Sequence, residues 1–130
     1  ILPETGPFSD LLKKEDIERM KQAVDKWGEK FLRRVFTETE INYCYEKSYP
    51  YTSLSVRFAA KEALIKAIGG KTSIPLTDIE VINNENGKPA IKAKGKLEEF
   101  FRENSVHRAH LSLSHEKDYG IASVIIEKDL

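Results

Sequence analysis

The spacing of apolar residues changes at Gly69-Gly70, and no other feature restricts the fold so strongly. Upstream, apolar side chains recur every three or four residues: Ile17, Met20, Val24, Trp27, Phe31, Leu32 and Val35, then Val56, Ala60, Ala63, Leu64 and Ala67. This is the period of helices with one buried face. Downstream, Asp78–Asn83, Lys88–Ala93, Ala109–His115 and Tyr119–Glu127 alternate, which is the period of half-buried strands. Helices followed by strands predict an α+β domain, with an antiparallel sheet packed on a central helix.

Local signals set the borders. A capping Ser or Asp near Ser9 predicts one amphipathic helix bent at Gly28, and Thr37-Glu38-Thr39-Glu40 has the form of a capping box that opens a short helix through Tyr45. Pro50 separates it from a helix over Thr52–Ile68, which the paired glycines stop. Asn84-Glu-Asn-Gly87 is a hairpin turn, Leu97–Arg102 a short helix, and Glu116-Lys-Asp118 the last turn. Leu2-Pro-Glu-Thr-Gly6 has the form of a sortase recognition pentapeptide; the plainer reading is an extended leader, because Pro3, Gly6 and Pro7 oppose helix.

Composition narrows the function classes. The 130 residues suit one domain, and 21 acidic side chains balance 21 basic ones, which argues against a nonspecific nucleic-acid binder. No apolar run approaches the ~20 residues of a membrane helix. Cys44 is the sole cysteine, so neither an intrachain disulfide nor a cysteine zinc site is expected, and a reducing cytoplasm fits.

Two constellations could carry chemistry. Phe58, Glu62 and Lys66 recur at i, i+4 and i+8 on one helix side, with Lys61 beside them. Spacing alone allows a solvated Glu–Lys pair worth a few tenths of a kcal/mol, or a Mg²⁺ ligand flanked by phosphate-binding lysines. Strand alternation puts His110, Ser112 and Ser114 on one face and Leu111, Leu113 and His115 on the other. No Gly-x-Ser-x-Gly elbow accompanies these serines, which argues against a serine hydrolase.

Phe58-Ala-Ala-Lys-Glu-Ala63, with Lys66 and Gly69-Gly70, resembles the signature of 4′-phosphopantetheinyl transferases, specifically the small holo-acyl carrier protein synthases. The similarity extends through Trp27–Glu40, Asp78–Val81, Asn86–Pro89 and His110–His115, in the family's order. It implies transfer of the phosphopantetheine arm from coenzyme A to an acyl carrier protein, with Mg²⁺ as cofactor. By position in the motif, Glu62 would be a catalytic metal ligand, Lys61 and Lys66 would contact phosphates, and Gly69-Gly70 would admit the coenzyme. His110, Ser114 and His115 would line the coenzyme or carrier side, and Arg19 and Arg33 would dock an acidic helix of the carrier. The family resemblance also implies a homotrimer with active sites shared between subunits.

The chain departs from the family upstream. Members usually open with a buried strand whose Asp is the second Mg²⁺ ligand, and counting back from the matching Arg19 puts Lys13 at that Asp. A charged lysine cannot ligate a cation. Asp10 can serve only if the chain is rerouted, and Ser9–Glu15 reads as helix. The expectation is therefore an atypical leader or remodelled first strand over residues 1–15, and a single domain over 16–130. Two functions stay open: an active transferase of fatty acid biosynthesis, or a catalytically impaired or engineered scaffold whose altered leader is a tag or partner-binding peptide.

Overall fold

The computed structural model describes residues 8–70 and 73–129, with side chains from residue 12 onward. The leader pentapeptide and Lys71 lie outside the described residues. Two antiparallel sheets and four helices form the α+β architecture expected.

The first element overturns the helix expected over Ser9–Glu15: Phe8–Asp16 is a strand, β1, paired with the C-terminal strand β5 (Tyr119–Lys128). Sequence-local preference loses here to a long-range partner, since the free edge of β5 supplies backbone hydrogen bonds to whatever side chains β1 carries. Strand β4 (Val106–His115) covers the other edge of β5, giving the order β1-β5-β4.

Helix α1 therefore starts at Ile17, where the Asp16 carboxylate accepts the Arg19 N–H at 3.1 Å. It runs to Val35 and bends at Gly28, whose φ of 61° and ψ of −141° lie outside helical space. Ile17, Met20, Leu32 and Val35 are buried as their spacing predicts. Trp27 is not: it is 57% exposed and tilts against Phe31. Helix α2 (Glu38–Tyr45) has the full capping box, with Thr37 Oγ1 accepting from Glu40 N at 3.2 Å and Glu40 Oε1 from Thr37 N at 2.8 Å.

The central helix α3 (Tyr51–Ala67) packs on the three-stranded sheet through Ala59, Ala60, Ala63 and Leu64, against Ala122, Val124 and Ile126. The alanines permit a close approach. It is closest at Gly120, where an added Cβ would fall 2.8 Å from the Val56 nitrogen. A Schellman cap ends the helix: Gly69 N donates to Lys66 O at 3.1 Å and Gly70 N to Ile65 O at 2.8 Å, both glycines at positive φ. A 3₁₀ turn (Leu76–Asp78) then leads into the expected hairpin of β2 (Ile79–Asn83) and β3 (Pro89–Ala93), which forms its own sheet. Asn84 Oδ1 holds the hairpin turn by accepting the N–H groups of Asn86 and Lys88. Helix α4 (Gly95–Glu103) buries Leu97 beneath this layer.

Candidate functional site

The charged groups of α3 divide between two environments. Lys61 points inward and is fully buried: its ammonium donates to Glu40 Oε1 at 2.8 Å, to Leu76 O at 2.9 Å and to Ile79 O. Glu40 is equally enclosed, and its second oxygen accepts Val81 N at 2.9 Å. Burial lowers the pKa of Lys61, and the charge of Glu40 opposes that fall. All three lysine donors are taken, so the phosphate contact expected of Lys61 is corrected to a structural tie between α3, α2 and β2.

Glu62 and Lys66 turn the other way, toward β1. Strand alternation brings Lys13 and Glu15 to the same sheet face, opposite Ala122 and Gly120, whereas Leu12 and Lys14 are exposed on the reverse face. The Oε1 of Glu62 is buried and has no hydrogen-bond partner, so Lys66 one turn later does not satisfy it directly. Its neighbour is the Glu15 carboxyl. Burial first, then hydrogen bonding to Glu62 and the repulsion of its charge, push the Glu15 pKa up from 4.5 to about 8, against the pull of Arg19 and Lys13. The like-charged Lys13 is the main influence lowering the pKa of Lys66, against the pull of Glu62.

Glu15 is the carboxylate that sequence reasoning missed. Its signal was present, since in a strand the residue two places after Lys13 must share its face. Asp10 pairs in register with Ile125, and its side chain lies outside the described residues. The two histidines part. His110, Ser112 and Ser114 are exposed on the sheet face away from α3, with His110 Nε2 at 3.0 Å from Glu127 Oε1. His115 aligns across Gly120 with Glu15, in one cross-strand row about 10 Å wide. Gly69 and Gly70 are exposed beyond Lys66, but their N–H groups are committed to the helix cap. Arg19 and Arg33 are exposed on α1, Arg33 paired with Glu29 at 2.9 Å.

Residues 15–124 match the 4′-phosphopantetheinyl transferase superfamily. A holo-[acyl-carrier-protein] synthase of Halothermothrix orenii is 46% identical over 114 residues, spanning 87% of this chain and 91% of the relative. One from Thermodesulfovibrio yellowstonii is 43% identical over 110 residues, 85% of this chain and 89% of the relative. Among solved structures, the holo-[acyl-carrier-protein] synthase of Neisseria meningitidis superposes with a TM-score of 0.85 at 29% identity, covering 92% of this chain and 98% of the other. The Helicobacter pylori synthase, solved in complex with coenzyme A, gives 0.79 at 25% identity, covering 91% and 99%.

Proposed function

Because the chain belongs to the 4′-phosphopantetheinyl transferase superfamily and is an enzyme of that transferase class, we propose that it moves the 4′-phosphopantetheine arm of coenzyme A to a serine of an acyl carrier protein, in the cytoplasm and for fatty acid biosynthesis. One observation carries this reading: a buried Glu62 oxygen without a donor, opposed by the Glu15 carboxyl, with Lys66 one helical turn away.

In the transfer, the serine oxygen bonds to the phosphorus that bears the pantetheine arm. The diphosphate P–O bond breaks, adenosine 3′,5′-bisphosphate leaves, and the serine gives up its proton. Lys66 supplies positive charge to the diphosphate oxygens, and positioning with charge neutralisation accounts for most catalysis of such reactions. The glycines after α3 present no side chain to the coenzyme, while the exposed Arg19 and Arg33 offer charge to an acidic carrier helix.

The donor set fits Mg²⁺. That hard cation takes oxygen ligands, commonly one or two carboxylates completed by substrate phosphates and water. Glu62 and Glu15 would hold it, with Glu15 in the role first expected of Asp10, although no cluster of three or more His, Cys, Asp or Glu occurs among the described residues. Bound there, the ion would polarise the phosphoryl oxygens.

The site would be completed by a second copy of the chain in a trimer. His110 and Ser114 face away from Glu62 within one chain, so a coenzyme that touches both sets needs a neighbour's outer sheet face. Leu12 (62%) and Ile125 (38%) are apolar and exposed on that face, which supports its covering by another subunit. No helix among the described residues is long and apolar enough to cross a membrane.

Incubation with coenzyme A, Mg²⁺ and an apo-carrier, followed by intact-carrier mass, tests the transfer; sedimentation tests the trimer. The expected results are one added arm per carrier and a three-chain species. An unmodified carrier would overturn the transfer and favour the impaired scaffold, to which Lys13 at the place of the family's Asp lends support.

A further inference from the structure

Charge balances over the whole chain but not along α1. Residues 26–34 carry Lys26, Lys30, Arg33 and Arg34 against the single carboxylate of Glu29, and that carboxylate is already paired with Arg33 at 2.9 Å. The chain's only tryptophan stands among them. Trp27 precedes the bend at Gly28 and is 57% exposed, whereas Phe31, tilted against it at 6.4 Å, packs on the core beneath. The Lys26 ammonium lies 5.0 Å from the indole centroid. Two open depressions adjoin the ring: one of about 480 Å³ lined by Glu29, Lys30, Arg33 and Arg34, and one of about 270 Å³ lined by Trp27, Lys30, Phe31 and Arg34. They share Lys30 and Arg34, so aromatic and cationic surface form one continuous patch.

We propose that this face of α1 docks reversibly on the surface of an anionic phospholipid bilayer, with Trp27 at headgroup depth and Lys26, Lys30 and Arg34 among the lipid phosphates. An indole beside exposed ammonium and guanidinium groups suits the boundary between acyl chains and headgroups, because the ring is apolar with one polar N–H and the long basic stems reach back toward water. Each such cation gains from a negatively charged leaflet, and three together favour it over an uncharged one by roughly 10²-fold. Charge complementarity selects a lipid surface, since Lys26, Lys30 and Arg34 are exposed and close no ion pair with a carboxylate of α1 among the described residues. The acidic carrier helix was assigned instead to Arg19, on the far side of the bend, and to Arg33, which Glu29 already holds. A flat anionic layer meets the protruding ring and the surrounding charges at once without needing a matching shape.

The docking stands apart from transfer chemistry. It would place the protein at a surface without a spanning helix, and salt should release it, because the attraction between exposed charges is screened within about 10 Å at 0.1 M ionic strength.

Co-sedimentation of the full chain with vesicles of mixed phosphatidylserine and phosphatidylcholine, and with vesicles of phosphatidylcholine alone, tests the proposal at low and high salt. Because Trp27 is the only indole, its emission reports directly on this face. The parent should bind the anionic vesicles at low salt, with a blue shift of emission, and should leave them at high salt. Replacing both charges, Lys30→Gln with Arg34→Gln, should weaken binding about 30-fold. Trp27→Ala should also weaken it, and Trp27→Phe should restore part of the loss. Melting temperatures should stay near that of the parent in all three variants, since the altered side chains are exposed. A parent that ignores anionic vesicles, or binds phosphatidylcholine alone equally well, would overturn the proposal. So would bound protein whose emission does not move, because another face would then be on the lipid. Loss of carrier modification in these variants, with no vesicle binding by the parent, would give the face to an acidic protein and likewise overturn it.

Discussion

Lys61 and Glu62 are adjacent in sequence, yet they belong to opposite kinds of charged site. One helical step of about 100° turns Lys61 into a sealed pocket in which each donor has an acceptor, and turns Glu62 toward β1, where like meets like. In the first cluster opposite charges are matched and water is excluded, as folding alone requires. In the second, acid faces acid and base faces base, with a buried oxygen unsatisfied. A protein tolerates such an arrangement at a site where something else is meant to bind. On the proposed function, the difference separates a residue that holds the enzyme together from one that would serve its chemistry.

The largest effect should come from breaking the matched cluster. Lys61→Ala leaves the Glu40 carboxylate buried and unpaired, which should cost about 3–5 kcal/mol in urea unfolding. A loss of less than about 1 kcal/mol would show that the pocket admits water and that the division between clusters is false. At the unmatched cluster, Glu62→Gln should reduce carrier modification about 10²-fold or more, the scale seen when a group that stabilises transition-state charge is removed. Its stability should hold or rise, because a repulsion disappears. Lys61→Ala thus falls on the folding axis and Glu62→Gln on the activity axis; a Glu62→Gln variant that unfolds while its surviving fraction stays active would reverse the assignment.

What the sequence made legible follows the same division between local and distant causes. The capping box at Thr37, the Asn84–Gly87 hairpin turn and the glycine stop after α3 are satisfied by hydrogen bonds between residues within about five positions, so short windows sufficed to find them. Strand β1 was misread because its cause lies at the far end of the chain: Phe8 pairs with Glu127, and nothing in Ser9–Glu15 announces that partner. Once its strand character is known, Glu15 and Lys13 follow from alternation as this chain's own share of the candidate site. Lys61 was misplaced for a different reason. Its motif neighbours suggested a shared duty, whereas the acceptors that enclose it come from α2 and the 3₁₀–β2 segment, which only tertiary packing brings near.

The raised pKa of Glu15 gives a smaller effect, but one that discriminates. Because the folded-state pKa of Glu15 is raised from 4.5 to about 8, the native protein binds its proton more tightly than the unfolded chain between those values. The resulting stability is fully present below about pH 4.5 and is lost as the pH rises through 8. After allowance for solvent screening of a half-buried group, the loss should be about 1–2 kcal/mol, and Glu15→Gln should remove most of this slope. Urea unfolding from pH 5 to pH 9 measures it, and an unchanged slope in Glu15→Gln would mean that the Glu15 carboxyl is not its source.

The smallest effect belongs to the outer sheet face. Hydrogen bonding from His110 is the main influence holding the exposed Glu127 carboxyl below its ordinary pKa, so His110→Ala should raise that pKa in NMR titration while scarcely changing unfolding. If His110 also meets coenzyme bound mainly to a neighbouring chain, the same variant should weaken coenzyme A binding in the trimer. Mixing His110→Ala chains with Glu62→Gln chains provides a sharper measurement. Sites shared across subunits would draw an intact Glu62 from one parent and an intact His110 from the other, and should regain part of the lost affinity. Sites confined to single chains would regain none. Recovery in the mixture would extend the contrast beyond one helix: the matched cluster serves a chain's own fold, while the unmatched one is finished only by its neighbour.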